Sequence, residues 1–380
     1  MGTRELLGPG DVSDDALAAM VRDALDVADV DLLSCEVAVV DYDLEALTTA
    51  GRYWVRGTAR HADAVSPYAF FVKVVQSWTR SPQFRQVPEH LREVAAAGLP
   101  WRGELLAYRS DLGCRLPAGL AMPRAHSVLD LDEESACLWL QAIDADPAPW
   151  SHATFDRAAY LLGRLAAAPA VEPVARLGMT DVVRSYGFGR LTHQVLPALR
   201  SEQLWAHPLV ADAFSPELRG RLLAAADALP LMLAELDDAA LGTAHGDACP
   251  RNLLVPRDGS SEFVLIDFAF WCRAPLGFDL SQLLMGEVQV GERKAAELAE
   301  LEQLCLAAYV RGLRDEGCEV QYEVVRRQHA LLMLLFAGLS AVPLEVLYGL
   351  PAPGAAEVVR ERAAAAAFVL DLVDATGAST

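Results

Sequence analysis

Apolar and polar residues change their rhythm along this chain. Between residues 35 and 76 the rhythm is short and strand-like. Cys35-Glu-Val-Ala-Val-Val-Asp-Tyr42, Arg52-Tyr-Trp-Val-Arg-Gly-Thr-Ala-Arg60 and Tyr68-Ala-Phe-Phe-Val-Lys-Val-Val-Gln76 are rich in Val, Phe, Tyr and Trp and are separated by Gly and Asp. Such runs predict three consecutive antiparallel strands, preceded by a helix over Asp14 to Asp26. Two further short strands are expected near Ala121 to Val128 and Ala136 to Ile143, and Trp101, Leu105, Tyr108 and Leu112 have helical spacing. Glu104 then falls one turn from Tyr108.

The rhythm changes after Asp144-Ala-Asp-Pro-Ala-Pro-Trp150. Beyond this Pro- and Asp-rich break, residues 154–168, 181–199, 216–236, 294–316, 322–339 and 355–373 all carry helical periodicity. A loop and hairpin over 248–255 and 263–268 interrupt them. The expectation is therefore an α+β chain, with a β-rich part over 1–143 and a helical part over 144–380.

Composition narrows the setting. A length of 380 residues with 53% apolar content suits a globular protein with a proper core. Fifty-two acidic against 32 basic residues give a net charge of −20. That field disfavours nucleic acid and anionic membrane surfaces as partners, and it concentrates cationic small molecules. Seven scattered cysteines form no Cys-x-x-Cys pair, which fits a reducing cytoplasm without structural zinc. Residues 1–7 carry no basic-then-apolar signal. The longest apolar stretch, Ala330 to Leu344, contains Ser340 and Pro343 and is shorter than the roughly 20 residues of a bilayer span, so it reads as a buried helix.

The candidate chemistry sits in His245-Gly-Asp-Ala-Cys-Pro-Arg-Asn252 and in Ile266-Asp267-Phe268. Gly246 lets the backbone turn sharply and present Asp247 from a loop, as a base or as the group that orients an acceptor hydroxyl. Asn252 offers a neutral amide oxygen to Mg²⁺, and Asp267 an anionic oxygen that can bridge metal and phosphate. No Walker, Gly-x-Gly-x-x-Gly, Gly-x-Ser-x-Gly or His-Glu-x-x-His motif competes with this reading.

The His-Gly-Asp, four residues, Asn pattern resembles the signature of the aminoglycoside phosphotransferase and choline kinase superfamily. Ile266-Asp267-Phe268 is similar to that superfamily's counterpart of the protein-kinase Asp-Phe-Gly. The resemblance implies a protein-kinase-like, two-lobed fold and a small-molecule kinase using ATP or GTP with Mg²⁺. In that case Lys73 holds the α- and β-phosphates, with Glu104 as its carboxylate partner and Glu89 or Glu93 as alternatives. Thr48 to Tyr53, including Thr49 and Gly51, stands where the nucleotide loop belongs, although it holds a single Gly. The backbone of Leu140 to Ala142 would meet the purine, and Asp279, in Leu276-Gly-Phe-Asp-Leu280, would brace the catalytic loop. Glu287 and Asp279 are candidate carboxylates for a cationic acceptor such as an aminoglycoside, amino sugar or amino alcohol. Resistance to an antibiotic is one role such a kinase could serve. The alternative is a nucleotide-binding pseudokinase or scaffold of the same fold. A protein kinase fits poorly, because Asp279 follows Asp267 by only twelve positions, which leaves little room for a peptide platform.

Overall fold

The computed structural model describes residues 4–40, 47–344 and 354–377. They form two compact units. The first comprises Met1–Cys114, Ala121–Asp146 and Val255–Ala269, and the second Arg115–Leu120, Pro147–Leu254 and Phe270–Thr380.

In the first unit, α1 (Asp14–Leu25) begins at Ser13, whose hydroxyl accepts the Ala16 N–H, and places Asp14 and Asp15 in the first turn. Both features favour a helix start, by filling an open donor and by opposing the helix dipole. Strands β1 (Asp31–Val39), β2 (Thr49–His61), β3 (Ala64–Gln76), β4 (Ala125–Asp132) and β5 (Ser135–Gln141) follow. They make one antiparallel sheet in the order β1-β2-β3-β5-β4. The expected strands are all present, and positions 41 and 42 of the first run lie outside the described residues.

Alternation sorts the side chains to two faces. Val55, Phe70, Val72, Cys137 and Trp139 lie on one face, in a core they share with Leu17, Met20 and Val21 of α1. Trp139 is fully buried, and its indole N–H donates to the Gly10 carbonyl at 3.0 Å. The pairings Arg52↔Lys73, Trp54↔Phe71, Lys73↔Leu138 and Phe71↔Leu140 place those six residues on the opposite face. Next come α2 (Arg92–Gly98) and α3 (Gly103–Arg109). The helical run expected through Leu112 breaks at Ser110, which is extended and turns its hydroxyl back onto the Ala107 carbonyl at 2.7 Å.

The second unit is helical, as its periodicity predicts, but several long runs are divided. Helix α4 (His152–Ala167) is capped by the Ser151 hydroxyl. Residues 181–199 fold as α5 (Val182–Tyr186), a wide π-helical stretch Gly187–Val195, and a last turn Leu196–Leu199. Residues 216–236 split into α6 (Pro216–Asp227) and α7 (Leu229–Asp237), because Pro230 in the first turn of α7 has no N–H with which to continue a helix. Strand β6 (Leu241–Ala244) pairs antiparallel with β7 (Cys272–Pro275). Then come α8 (Phe278–Gln289), α9 (Leu298–Asp315), α10 (Tyr322–Met333) and α11 (Ala355–Gly377). The apolar stretch after Ala330 ends α10 in a second π-helical segment, Leu334–Gly338. Phe336 there stacks on Tyr186 with ring centroids 4.2 Å apart. Among the described residues no helix is long and apolar enough to cross a membrane.

Helices α4 and α9 cross at two glycines. A Cβ on Gly163 would lie 2.1 Å from the Tyr309 carbonyl oxygen, and one on Gly312 would lie 2.1 Å from that of Tyr160. Gly to Ala in a helix interior ordinarily stabilises by about 1 kcal/mol. Here the sign should reverse: Gly163→Ala is expected to destabilise by roughly 1–3 kcal/mol through overpacking, read as a lower urea midpoint. A midpoint that rises would mean the two helices do not approach this closely.

Candidate functional site

In the first unit the Lys73 ammonium is 3% exposed on β3 and lies 2.6 Å from Glu104 Oε2 and 3.0 Å from Asp267 Oδ1. Glu104 reaches it from the first turn of α3, itself 2% exposed. Of the three carboxylates the sequence left open, Glu104 is the one the structure brings to Lys73. Glu89 lies in a short turn at Glu89–Leu91, and Glu93 in α2. Close backbone approach holds the arrangement: a Cβ on Gly103 would meet the Ala269 carbonyl oxygen at 3.2 Å. Phe268 packs edge-on against Tyr108, one turn beyond Glu104.

The electrostatics follow from burial. Burial pulls the Lys73 pKa down, but attraction from Asp267 and Glu104 outweighs it and holds the ammonium above its ordinary value. Burial also pushes Glu104 up to about 6, against the pull of Lys73. Asp267 has a left-handed backbone, φ 62°, a conformation that Asp tolerates better than most residues. Its side chain keeps 30% of its surface exposed.

In the second unit the candidate base sits in a loop with a braced backbone. Gly246 has φ 89°, and a Cβ there would lie 2.0 Å from the Phe270 carbonyl oxygen, so only glycine fits. The Asp247 N–H donates to His245 Nδ1 at 3.3 Å. Asn252 Nδ2 donates to both the Asp247 carbonyl and Asp247 Oδ2, each at 2.9 Å. With both amide protons spent on Asp247, the Asn252 Oδ1 is left as an oxygen donor on the other side of the amide. A neutral amide oxygen is one of the hard oxygen ligands that Mg²⁺ takes.

Asp279 braces this loop. Its two carboxylate oxygens accept the N–H groups of His245 at 2.8 Å and Gly246 at 2.9 Å. Asp279 is fully buried in the first turn of α8. Burial pushes its pKa up to about 6, although both hydrogen bonds pull the other way. The turn that aims it is held in turn by Tyr309 of α9, whose hydroxyl accepts the Gly277 N–H at 3.0 Å. Sequence reasoning missed Tyr309, since a lone tyrosine on an amphipathic helix carries no signal beyond its periodicity.

The other expected site residues fall as follows. Thr49 and Gly51 lie in the first residues of β2, with a register irregularity between them, so this part of the expected loop is strand. Leu140 has β3 on one side and β4 on the other, so its peptide groups face neighbouring strands. Its side chain, however, shares a face with Lys73. Ala142 stands one residue beyond β5. Glu287 is engaged by Arg293 at 2.7 Å.

The model of the phosphotransferase enzyme family matches residues 117–313. The chain aligns with three solved structures of low identity. An amicoumacin kinase in complex with AMP-PNP and Ca²⁺ is 13% identical over 99% of this chain and 96% of that one, with a TM-score of 0.49. An aminoglycoside phosphotransferase from Alicyclobacillus acidocaldarius is 16% identical over 84% and 91%, at 0.47. A choline kinase from Cryptosporidium parvum is 11% identical over 91% and 89%, also at 0.47. No curated protein matches the chain.

The Asp279 brace makes a signed prediction. Its folded pKa of about 6 lies above the ordinary 3.8, so its contribution to stability is fully present below 3.8 and declines as pH rises through about 6. Asp279→Asn should remove that dependence. It should also cost about 1–3 kcal/mol at neutral pH, because an amide can accept only one of the two buried N–H groups. Urea unfolding of both proteins at several pH values checks this, and an unchanged slope between pH 4 and about 6 would count against the buried carboxylate.

Proposed function

Because the chain belongs to the phosphotransferase enzyme family, whose model spans residues 117–313, we propose that it is a small-molecule kinase. It transfers the γ-phosphoryl group of ATP or GTP to a hydroxyl of a cationic metabolite or antibiotic, such as an aminoglycoside, amino sugar or amino alcohol. The observation that carries this reading is the Asp247–Asn252 pair on a loop clamped by Asp279. A carboxylate that accepts a hydrogen bond from a neighbouring amide on the same braced loop has its orientation fixed, which is what a base or an orienting group for a hydroxyl needs.

In this mechanism Asp247 accepts a hydrogen bond from the acceptor hydroxyl, aligns its lone pair for in-line attack, and takes the proton as the oxygen–phosphorus bond forms and the bond from the γ-phosphorus to the β–γ bridging oxygen breaks, releasing the nucleoside diphosphate. Lys73, its rotamer set by Glu104, binds the phosphate oxygens. Asn252 and Asp267 are the residues that would hold Mg²⁺, which when bound neutralises charge on the phosphates. Rate enhancement then comes from positioning and charge, without a phosphoenzyme. The net charge of −20 supports a cationic acceptor, by raising its local concentration. The same charge, with the scattered free cysteines, supports work in the cytoplasm, away from nucleic acid and membrane.

Incubating the protein with Mg-ATP or Mg-GTP and a mixed panel of aminoglycosides, amino sugars and amino alcohols tests the proposal by mass spectrometry. One panel member should gain a single phosphoryl mass, and Asp247→Asn should lower that rate by about 100-fold or more. Panel members that stay unmodified with wild type, or a fully active Asp247→Asn, would overturn the assignment. Asp267→Ala should separately weaken Mg-nucleotide binding in calorimetry, and unchanged affinity would remove Asp267 from the metal.

A further inference from the structure

Leu241, 48% exposed at the start of β6, borders a cavity of about 440 Å³ that lies wholly within the second unit. Its walls come from three places. Helix α4 ends at Ala167 and contributes Ala166 to Pro169, α9 ends at Asp315 and contributes Glu316 to Cys318, and the segments around Leu241 and Leu276 complete the enclosure. None of Asp247, Asn252 and Asp279 lines it. Gly242 stands three residues before His245, roughly 10 Å along an extended strand, so an occupant lies at a distance from the candidate base.

Fixed backbone holds the cavity in shape. A Cβ on Gly242 would lie 2.6 Å from the Ala166 carbonyl oxygen and 2.9 Å from Leu276 Cδ2, which ties strand, helix end and Leu276 together. The Leu276 N–H donates to the Ala240 carbonyl at 3.0 Å. Beyond α9, Gly317 has φ 83°, and the N–H groups of Gly317 and Cys318 donate to the carbonyls of Arg314 and Leu313, each at 2.9 Å. That paired closure fixes where Cys318 stands.

The walls select the occupant. Ala166, Ala168, Pro169, Leu241 and Leu276 supply apolar surface, and the two acidic wall residues are already matched: Glu316 lies 2.6 Å from Arg164, and Glu172 lies 2.6 Å from Arg176. A neutral guest leaves those ion pairs intact, whereas a charged one finds no unmatched charge among the wall residues. The volume is in the range of small-molecule sites and close to that of a single helical turn, roughly 400 Å³ from its width and pitch, so a docked helix does not fit.

Two connections run from the cavity to the candidate catalytic loop. Leu241 and Gly242 open the strand that leads to His245, and Leu276 precedes Gly277, whose N–H is held by Tyr309 two residues before Asp279. Burial raises the pKa of the Tyr309 hydroxyl, and Asp279 and Cys318 add to that rise, which places both within electrostatic reach of it.

We propose that this cavity is a second ligand site, for a small, neutral, largely apolar molecule, and that filling it stiffens the loop that carries Asp247. The inference goes beyond the kinase reading and does not depend on it: a protein that transfers no phosphoryl group would still give each result below.

The probe is N-benzylmaleimide, with N-(2-hydroxyethyl)maleimide as its polar counterpart and the exposed Cys114 as the internal reference. In either reagent the cysteine sulfur adds to the C=C bond, one S–C bond forming as the π bond opens and the neighbouring carbon takes a proton from water. A Cys249→Ser background keeps the candidate catalytic loop unlabelled. Read by peptide mass spectrometry, the benzyl reagent should prefer Cys318 over Cys114 about 10-fold more than the hydroxyethyl reagent does, the value of burying part of a ring. Leu241→Gln, a change at an exposed wall residue, should lose most of that preference. Equal preferences for the two reagents, or a preference untouched by Leu241→Gln, would overturn the site. In the benzyl adduct, hydrogen exchange of the peptide carrying the His245 and Gly246 amides should slow by about 3-fold or more relative to an equally treated Cys318→Ser protein. Unchanged exchange there, or equal slowing in α11, overturns the coupling to the loop. Thermal midpoints confirm that every variant is folded at the labelling temperature.

Discussion

An ammonium taken out of water has to be met by opposite charge, and Lys73 is where this chain accepts that constraint. The group is 3% exposed, and its desolvation is offset by the carboxylates of Glu104 and Asp267. Much of the first unit is arranged to make that possible. Strand β3 delivers the lysine, α3 begins where its first turn can reach across, and the chain near Ala269 approaches Gly103 closely enough to exclude a larger side chain. A buried ion pair of this kind adds little to stability beside an apolar replacement. What it provides is direction: one long, flexible side chain is confined to a single rotamer, with its charge pointing one way.

The second unit repeats the logic with a carboxylate. Asp279 is buried in the first turn of α8 and has two backbone N–H groups as its partners. Those donors belong to His245 and Gly246, so satisfying the carboxylate also fixes the backbone leading to Asp247. Tyr309 supports the arrangement from α9 by accepting the N–H of Gly277. In both units a group that is expensive to bury is met by partners, and the contacts that satisfy it also fix a side chain or a stretch of backbone in place. Burial pushes Glu104 and Asp279 each to about 6, so both are mostly ionised near neutral pH.

The chain was legible where a pattern repeats over many residues. Strands β2 and β3 follow from the alternation through 52–60 and 68–76, and α4, α9 and α11 from helical spacing. Runs that broke within a continuous pattern were not legible. The stretch 181–199 keeps a helical rhythm yet widens into a π-helical segment from Gly187, where hydrophobic spacing hardly differs from that of an α-helix. The break at Ala228 had a local cause in Pro230, but a proline in the first turn of a helix reads the same whether that helix starts there or continues from another.

The site divides in the same way. The order and spacing of His245, Gly246, Asp247 and Asn252 determined by themselves that a carboxylate and an amide share one short loop, since five residues cannot carry them far apart. The same holds for the alternation that puts Lys73 and Phe71 on one face of β3. Which carboxylate meets Lys73 lay beyond the sequence, because Glu89, Glu93 and Glu104 are all distant along the chain and differ only in how the turns between them fold. The partnership of Asp279 with two specific N–H groups, the support from Tyr309 and the juxtaposition of Arg52 with Lys73 were also decided by tertiary structure. Local propensity acts over a few residues, whereas these contacts depend on strand register and helix packing, which are set only when distant segments are brought together.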